Sequence, residues 1–156
     1  MMAGGSVRAP MVRLPCPAGL LMPHRPPMLF LDSLIEKAGD TAIALAHVPE
    51  SAFFIDPDRG LLPEFFVEIM AQTMAAASGY DALTGRQPPV FGFLVGLDKF
   101  QLWKTPAAGA VLRIEIVMIF EFGPVKIIKG TVFEDTEILA HGEVKVWEAK
   151  DQGPAQ

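Results

Sequence analysis

The chain has 156 residues, 51% apolar and 20% charged, and this composition excludes a disordered chain. A balance of 13 Lys and Arg residues against 18 Asp and Glu residues gives a net charge of −5, which argues against binding to nucleic acid through phosphates. The single cysteine, Cys16, excludes an internal disulfide and a CxxC metal site. This length predicts one domain, which we expect over residues 13–149 between loose ends at residues 1–12 and 150–156.

No apolar stretch reaches the roughly 18 residues that a membrane span needs. Prolines between positions 10 and 27 interrupt any run that could serve as the apolar core of a signal peptide. We therefore expect a cytoplasmic protein without a membrane span. The mean hydropathy of +0.33 is high for a soluble monomer and indicates that some apolar surface lies in a subunit interface.

The first part of the chain predicts an irregular arm, two strands and a loop. The Pro-rich segment 15–27 cannot form a long helix because each proline removes a backbone donor, and one short helical turn is expected at Gly19–Met22. Residues Met28–Ala38 and Thr41–Val48 are typical of strands, and Pro49–Gly60 is typical of a loop.

The segment Pro63–Ser78 predicts one long helix. Proline suits the first turn of a helix, and Gly79 is a candidate for its C-cap. The interior of this segment is apolar on most of its circumference, which is typical of a buried helix.

Strand-like stretches then follow at regular spacing, namely Val90–Trp103, Val111–Phe122, Pro124–Phe133 and Ile138–Trp147. Short connections between consecutive strands imply antiparallel pairing. One buried helix with a curved antiparallel sheet wrapped around it is an α+β layout. The order of strand, strand, helix and then several strands is typical of a hotdog fold.

Three polar residues interrupt the apolar helix at a spacing of four, Glu64, Glu68 and Gln72, and so share one stripe of its surface. A buried carboxylate is costly unless it is paired or protonated, so the stripe could hold a site carboxylate suited to proton transfer. Alternatively, the stripe is simply where the helix meets solvent.

The three histidines, His24, His47 and His141, have no metal-ligand spacing with other residues, and we expect no metal. The chain has neither a nucleophile-elbow motif nor a phosphate-binding glycine cluster, and we expect no cofactor. His24 lies in a Pro-His-Arg-Pro-Pro context that fixes its backbone, and it is either a catalytic residue or a structural residue at the end of the arm.

Three stretches together resemble the FabZ-type 3-hydroxyacyl-[acyl-carrier-protein] dehydratases, a hotdog family. They are the Leu-Met-Pro-His-Arg-Pro-Pro-Met opening, the Glu-Ile-Met-Ala-Gln helix motif and the Gly-Phe-Leu-Val-Gly-Leu-Asp-Lys-Phe segment, at residues 21–28, 68–72 and 92–100. The nearest subgroup is that of the dehydratase-like proteins of aryl-polyene gene clusters.

The resemblance implies a site that contains Glu68, which matches the family's helix carboxylate. The family's catalytic histidine follows a Phe-Phe pair, whereas here the pair is followed by residues 55–60, which contain no histidine. His24 or Asp56 is expected to replace it. The matched segments also suggest substrate-binding roles for Phe54, Glu64, Gln72 and Phe93.

The implied activity is the elimination of water from a 3-hydroxyacyl thioester on acyl carrier protein, in fatty-acid or polyene-type lipid synthesis. Two alternatives stay open: a degenerate subunit that pairs with an active, histidine-bearing paralogue, and an acyl thioesterase on the same fold. We expect a homodimer or larger homo-oligomer, or a heterodimer with that paralogue. In a mixed dimer, this chain would supply the acid and its partner the histidine, so we expect weak activity alone and a large gain in the mixture.

Overall fold

The computed structural model describes residues 12–50 and 53–150. In this part of the chain, the elements are β1 (Cys16–Pro17), a three-residue 3₁₀ turn (Ala18–Leu20), β2 (Leu31–Ala38), β3 (Thr41–His47), β4 (Ile55–Asp56), β5 (Gly60–Leu61), α1 (Glu64–Leu83), β6 (Val90–Leu102), β7 (Val111–Phe122), β8 (Val125–Glu134) and β9 (Glu137–Lys150). The expected loose ends, residues 1–12 and 150–156, lie outside the described residues except for Val12 and Lys150. They stay a prediction.

The sheet has the strand order β1-β2-β3-β7-β8-β9-β6, and every pair in it is antiparallel. Strands β4 and β5 form a separate two-stranded ladder. The helix contacts strands across this sheet, from β2 to β6. The predicted α+β layout, one long helix against a large antiparallel sheet, is confirmed.

Alternation of side chains explains why the long strands form one face of the core. In β7, Leu112, Ile114 and Ile116 are buried, while Arg113 and Glu115 between them are partly exposed. Successive side chains of a strand point to opposite faces of the sheet, so this pattern buries one face against the helix and leaves the other in solvent.

Strand β2 begins three residues later than predicted, at Leu31 instead of Met28. The backbone before it bonds to the helix instead of to a strand: the Gln72 amide donates to the Met28 carbonyl, and the Phe30 N–H donates to the Gln72 side-chain oxygen. The short helical turn is Ala18–Leu20, close to its predicted place. We call residues 18–27 the arm, and residues 53–60 the pre-helix loop.

The helix is longer than predicted, and the expected C-cap at Gly79 is wrong. Helix α1 continues to Leu83, with its cap at Thr84 and Gly85 beyond it in the left-handed region at φ 75°. Gly79 lies inside the helix, where the arm crosses it. A Cβ atom at Gly79 would lie 1.7 Å from the backbone oxygen of Leu21, so only glycine permits this approach.

The predicted burial of the helix is confirmed. Its largest apolar side chains, Phe65, Phe66, Ile69 and Met70, are fully enclosed. No helix in the described part of the chain is long and apolar enough to cross a membrane.

Candidate functional site

A cavity of about 470 Å³ lies between the arm, helix α1 and the first residues of β6. The arm contributes residues 19–25, the helix contributes a stripe from Glu68 to Leu83, and β9 contributes Val146 and Glu148. Most of the lining is apolar. A concave, largely apolar cavity with a few polar groups is typical of a ligand site.

The polar stripe predicted on the helix runs from solvent into this cavity. Glu64 is exposed, the Glu68 side chain keeps 25% of its surface exposed, and Gln72 is 1% exposed. The first residue of the stripe therefore meets solvent, while its second and third residues line the cavity.

Gln72 holds the site together. Its Nε2 donates to the Met28 carbonyl at 2.7 Å and to Glu68 Oε1 at 2.9 Å, and its Oε1 accepts the Phe30 N–H at 3.0 Å. Both donor hydrogens of the amide are thereby used within the chain. This places Gln72 as a residue that fixes the Glu68 carboxylate and joins the helix to the chain before β2.

The arm brings His24 to the same carboxylate. His24 Nε2 lies 4.0 Å from Glu68 Oε1, and His24 Nδ1 is buried without a hydrogen-bond partner among the described residues. Arg25 fixes the backbone here, because its Nη1 donates to the carbonyls of His24 and Met22 at 2.7 and 3.0 Å. An imidazole and a carboxylate at one end of an apolar cavity can together give and take protons.

Asp56 lies in a different place from Glu68 and His24. It does not line the cavity, and its Oδ1 accepts the N–H groups of Arg59 and Asp58 in the turn between β4 and β5. These two hydrogen bonds lower the pKa of Asp56 below its ordinary value, because they stabilise the charged form. Within one chain, Asp56 is a turn residue and a weaker base, and its replacement of the histidine stays a prediction.

Three of the four expected substrate-binding residues also lie outside the lining of the cavity. Phe54 packs against Phe30 and Phe65, with ring centroids 5.4 and 6.4 Å apart. Phe93 is exposed on β6, and Glu64 is exposed at the first residue of the helix. Of the four residues predicted to bind substrate, only Gln72 lines the cavity.

A second polar group lies in the same cavity and was missed by the sequence reasoning. Ser78 and Glu148, each 8% exposed, both line the cavity, and the Ser78 hydroxyl donates to Glu148 Oε1 at 2.9 Å. Lys126 Nζ donates to Glu148 Oε2 at 2.6 Å. The available signal was the alternation in β9, where Glu148 follows the buried Val144 and Val146 at a spacing of two.

In the part of the chain described here, no group of three or more His, Cys, Asp and Glu side chains could hold a metal ion.

A family model described as ApeP-like, ApeP dehydratase, matches residues 16–155. The chain belongs to this dehydratase family. The 3-hydroxyacyl-[acyl-carrier-protein] dehydratase FabZ of Caldicellulosiruptor saccharolyticus is 31% identical over 130 residues, which are 80% of this chain and 90% of the relative. The FabZ of Natranaerobius thermophilus is 32% identical over 129 residues, which are 80% of this chain and 89% of the relative.

Among solved structures, a chain of the dehydratase heterocomplex ApeI:P from Xenorhabdus doucetiae matches with a TM-score of 0.76 and 20% identity, over 87% of this chain and 93% of that chain. The predicted hotdog fold is thereby confirmed. The predicted membership in the FabZ-like dehydratases, near the ApeP-type proteins, and the predicted dehydratase class are confirmed at the level of the family. The roles of individual site residues stay predictions.

Proposed function

We propose that this ApeP-like dehydratase removes water from a 3-hydroxyacyl thioester carried by acyl carrier protein and leaves a trans-2-enoyl thioester. The observation that carries the proposal is the pair of Glu68 and His24, 4.0 Å apart, at one end of an apolar cavity of about 470 Å³. The acyl chain occupies the apolar length of the cavity, in a cytoplasmic pathway of lipid or polyene synthesis.

The reaction needs a base for the α-proton and an acid for the leaving hydroxyl group. His24 Nε2 takes the proton from the α-carbon, and the electron pair of that C–H bond forms the new double bond. The C–O bond at the β-carbon breaks, and protonated Glu68 supplies the proton with which the hydroxyl group leaves as water. The imidazolium then returns a proton to the carboxylate across the short gap, which restores both groups.

Gln72 supports this chemistry without contacting the reacting atoms. Its bond to Glu68 Oε1 holds one carboxylate oxygen, so the other oxygen is free to meet the substrate hydroxyl. Its bonds to the backbone at Met28 and Phe30 fix the chain that follows the arm. The developing charge on the thioester oxygen also needs a donor, and the Glu64 N–H at the start of the helix is our candidate, supplied across a subunit interface.

We further propose a dimer built on the outer edge of β6. This strand pairs only with β9 in the described sheet, and five large apolar residues on it are exposed: Phe91, Phe93, Leu94, Val95 and Leu97. An apolar edge strand without a partner is a template for pairing with another chain. The partner is either a second copy or a histidine-bearing paralogue. The similar Xenorhabdus doucetiae chain comes from a dehydratase heterocomplex, which supports the paralogue as the alternative.

The test measures enoyl-ACP formation by mass spectrometry for this chain alone, for the paralogue alone and for their mixture. Glu68→Gln, introduced only into this chain, should lower its turnover by about 10²–10⁴-fold without changing its circular dichroism, because the amide keeps the shape and loses the proton. Glu36→Gln, at an exposed position of β2, is the matched control.

Each outcome decides between the alternatives. Turnover by the chain alone at the rate of other family members supports the pair of Glu68 and His24. Turnover that appears only in the mixture supports the mixed site, and release of the free acid would indicate a thioesterase. Unchanged turnover in the Glu68→Gln chain would overturn the catalytic role of Glu68.

A further inference from the structure

The cavity has two polar ends, and only one of them is used by the proposed reaction. Glu68 and His24 lie at the first end, and Ser78 with Glu148 at the second. Ser78 follows Glu68 by ten residues on the same helix, so the two lie roughly 15 Å apart along its axis. Between them, the helix presents Ala71, Gln72, Met74 and Ala75 to the cavity.

The second end presents hydrogen-bond acceptors to the cavity. Glu148 accepts one bond on each oxygen, from Ser78 and from Lys126, and a carboxylate has about four acceptor positions. The Ser78 hydroxyl uses its proton on Glu148, so its own lone pairs are available. Lys126 does not line this cavity. A ligand that reaches this end therefore meets acceptors in need of a donor.

We propose that Ser78 and Glu148 bind a hydroxyl group at the far end of the acyl chain, and so select ω-hydroxylated substrates over methyl-ended ones. An extended chain advances about 1.2 Å per bond, one third of the span of an extended residue, so 15 Å corresponds to roughly 12 bonds beyond the reacting carbon. The inference rests on the proposed function in one respect: the cavity must hold the acyl chain.

The chemistry of the second end makes the selection specific. In a purely apolar cavity a terminal hydroxyl group would lose its bonds to water and weaken binding. Here it regains a hydrogen bond to a carboxylate, which is stronger than one between neutral groups. A terminal carboxylate, in contrast, has no proton to donate to Glu148 and would gain no such bond.

The test measures binding, not turnover, by calorimetry on the full protein as purified. The probes are ω-hydroxytetradecanoyl-pantetheine, tetradecanoyl-pantetheine, the shorter ω-hydroxydecanoyl-pantetheine and the thioester with a terminal carboxylate. We expect the long hydroxylated probe to bind about 10-fold more tightly than the methyl-ended one, which is the worth of one hydrogen bond to a charged group. The short and carboxylated probes should gain nothing.

Two variants change the second polar end, and one serves as control. Glu148→Gln replaces the carboxylate by a neutral amide and should bring the two long probes within about 2-fold of each other, whereas Ser78→Ala frees Glu148 Oε1 and should keep the preference. Thr73→Val removes a hydroxyl from the same helix, one that donates to the Ile69 carbonyl and does not line the cavity, and it should keep the preference. The comparison of the four probes on the wild-type chain carries the test alone if Glu148→Gln does not fold.

The outcomes separate this inference from the proposed function. Equal binding of the two long probes to the wild-type chain, or an intact preference in a folded Glu148→Gln chain, overturns the inference and leaves the dehydratase proposal standing. If no acyl probe binds at all, the acyl cavity itself is contradicted, and the proposed function fails with it.

Discussion

The arm and the pre-helix loop both carry a residue expected to complete the site, and the structure treats them differently. His24 on the arm lies 4.0 Å from Glu68 and lines the cavity, with one ring nitrogen buried and unpartnered among the described residues. Asp56 in the loop is partly exposed and has one oxygen engaged by two backbone N–H groups. A side chain already satisfied locally stabilises a turn, whereas one left unsatisfied in a cavity is available for chemistry.

The largest expected effect tests this comparison directly. His24→Gln should lower turnover of the chain alone by about 10²–10⁴-fold, because glutamine cannot take up the α-proton. Asp56→Asn keeps the carbonyl oxygen that the turn needs and should change turnover less than about 2-fold. Steady-state rates of enoyl-ACP formation measure both. Equal losses in the two variants would break the distinction between arm and loop.

A second prediction concerns the junction that places the arm. Gln72→Met should leave the Met28 carbonyl and the Phe30 N–H without partners, at a cost of about 1–3 kcal/mol for each buried group. Urea denaturation followed by fluorescence would measure the loss. Gln87→Met, which removes a single bond to the Ser78 carbonyl at a half-buried site, is the control and should cost less. Similar losses in both variants would contradict the special position of Gln72.

The third prediction tests the contact between the arm and the helix at Gly79. Gly79→Ala puts a Cβ atom against the Leu21 backbone and should destabilise the fold by about 1–3 kcal/mol, because the backbone must move. Gly19→Ala meets only a Leu29 methyl group at 3.5 Å and should be nearly neutral. Denaturant midpoints compare the two. If Gly79→Ala has the same denaturant midpoint as the wild type, the arm moves away from the helix at little cost in free energy.

The smallest expected effect belongs to the loop. Because the pKa of Asp56 is lowered in the folded chain, its charged form stabilises the fold above its unfolded pKa, and this contribution is lost as pH falls through the folded pKa. The difference in stability between the wild type and Asp56→Asn should therefore be small near neutral pH, begin to fall below about pH 4 and vanish below the folded pKa. Denaturation curves at several pH values measure it, and a difference that grows on acidification would contradict the turn role.

The elements with strong local patterns were predictable from the sequence. Strands β3, β7 and β8 lie within a residue of their predicted bounds, because strand alternation and turn residues are local signals. The apolar circumference of the helix predicted its burial. The family and the place of Glu68 followed from the spacing of three motifs. These properties depend on residues near one another along the chain.

Only the tertiary structure decided which distant segments of the chain contact one another. In the sequence, Gly79 resembles a helix C-cap. In the structure, the arm crosses the helix at this glycine, with the Leu21 backbone against it. The hydrogen bonds of Gln72 to residues 42 and 44 positions earlier shorten β2, and the contact of Ser78 with Glu148 joins residues 70 positions apart. No local pattern encodes such pairs, because they arise from the packing of the arm and the last strand on the same helix. The sequence therefore determined the elements and the carboxylate, and packing determined which polar groups share its cavity.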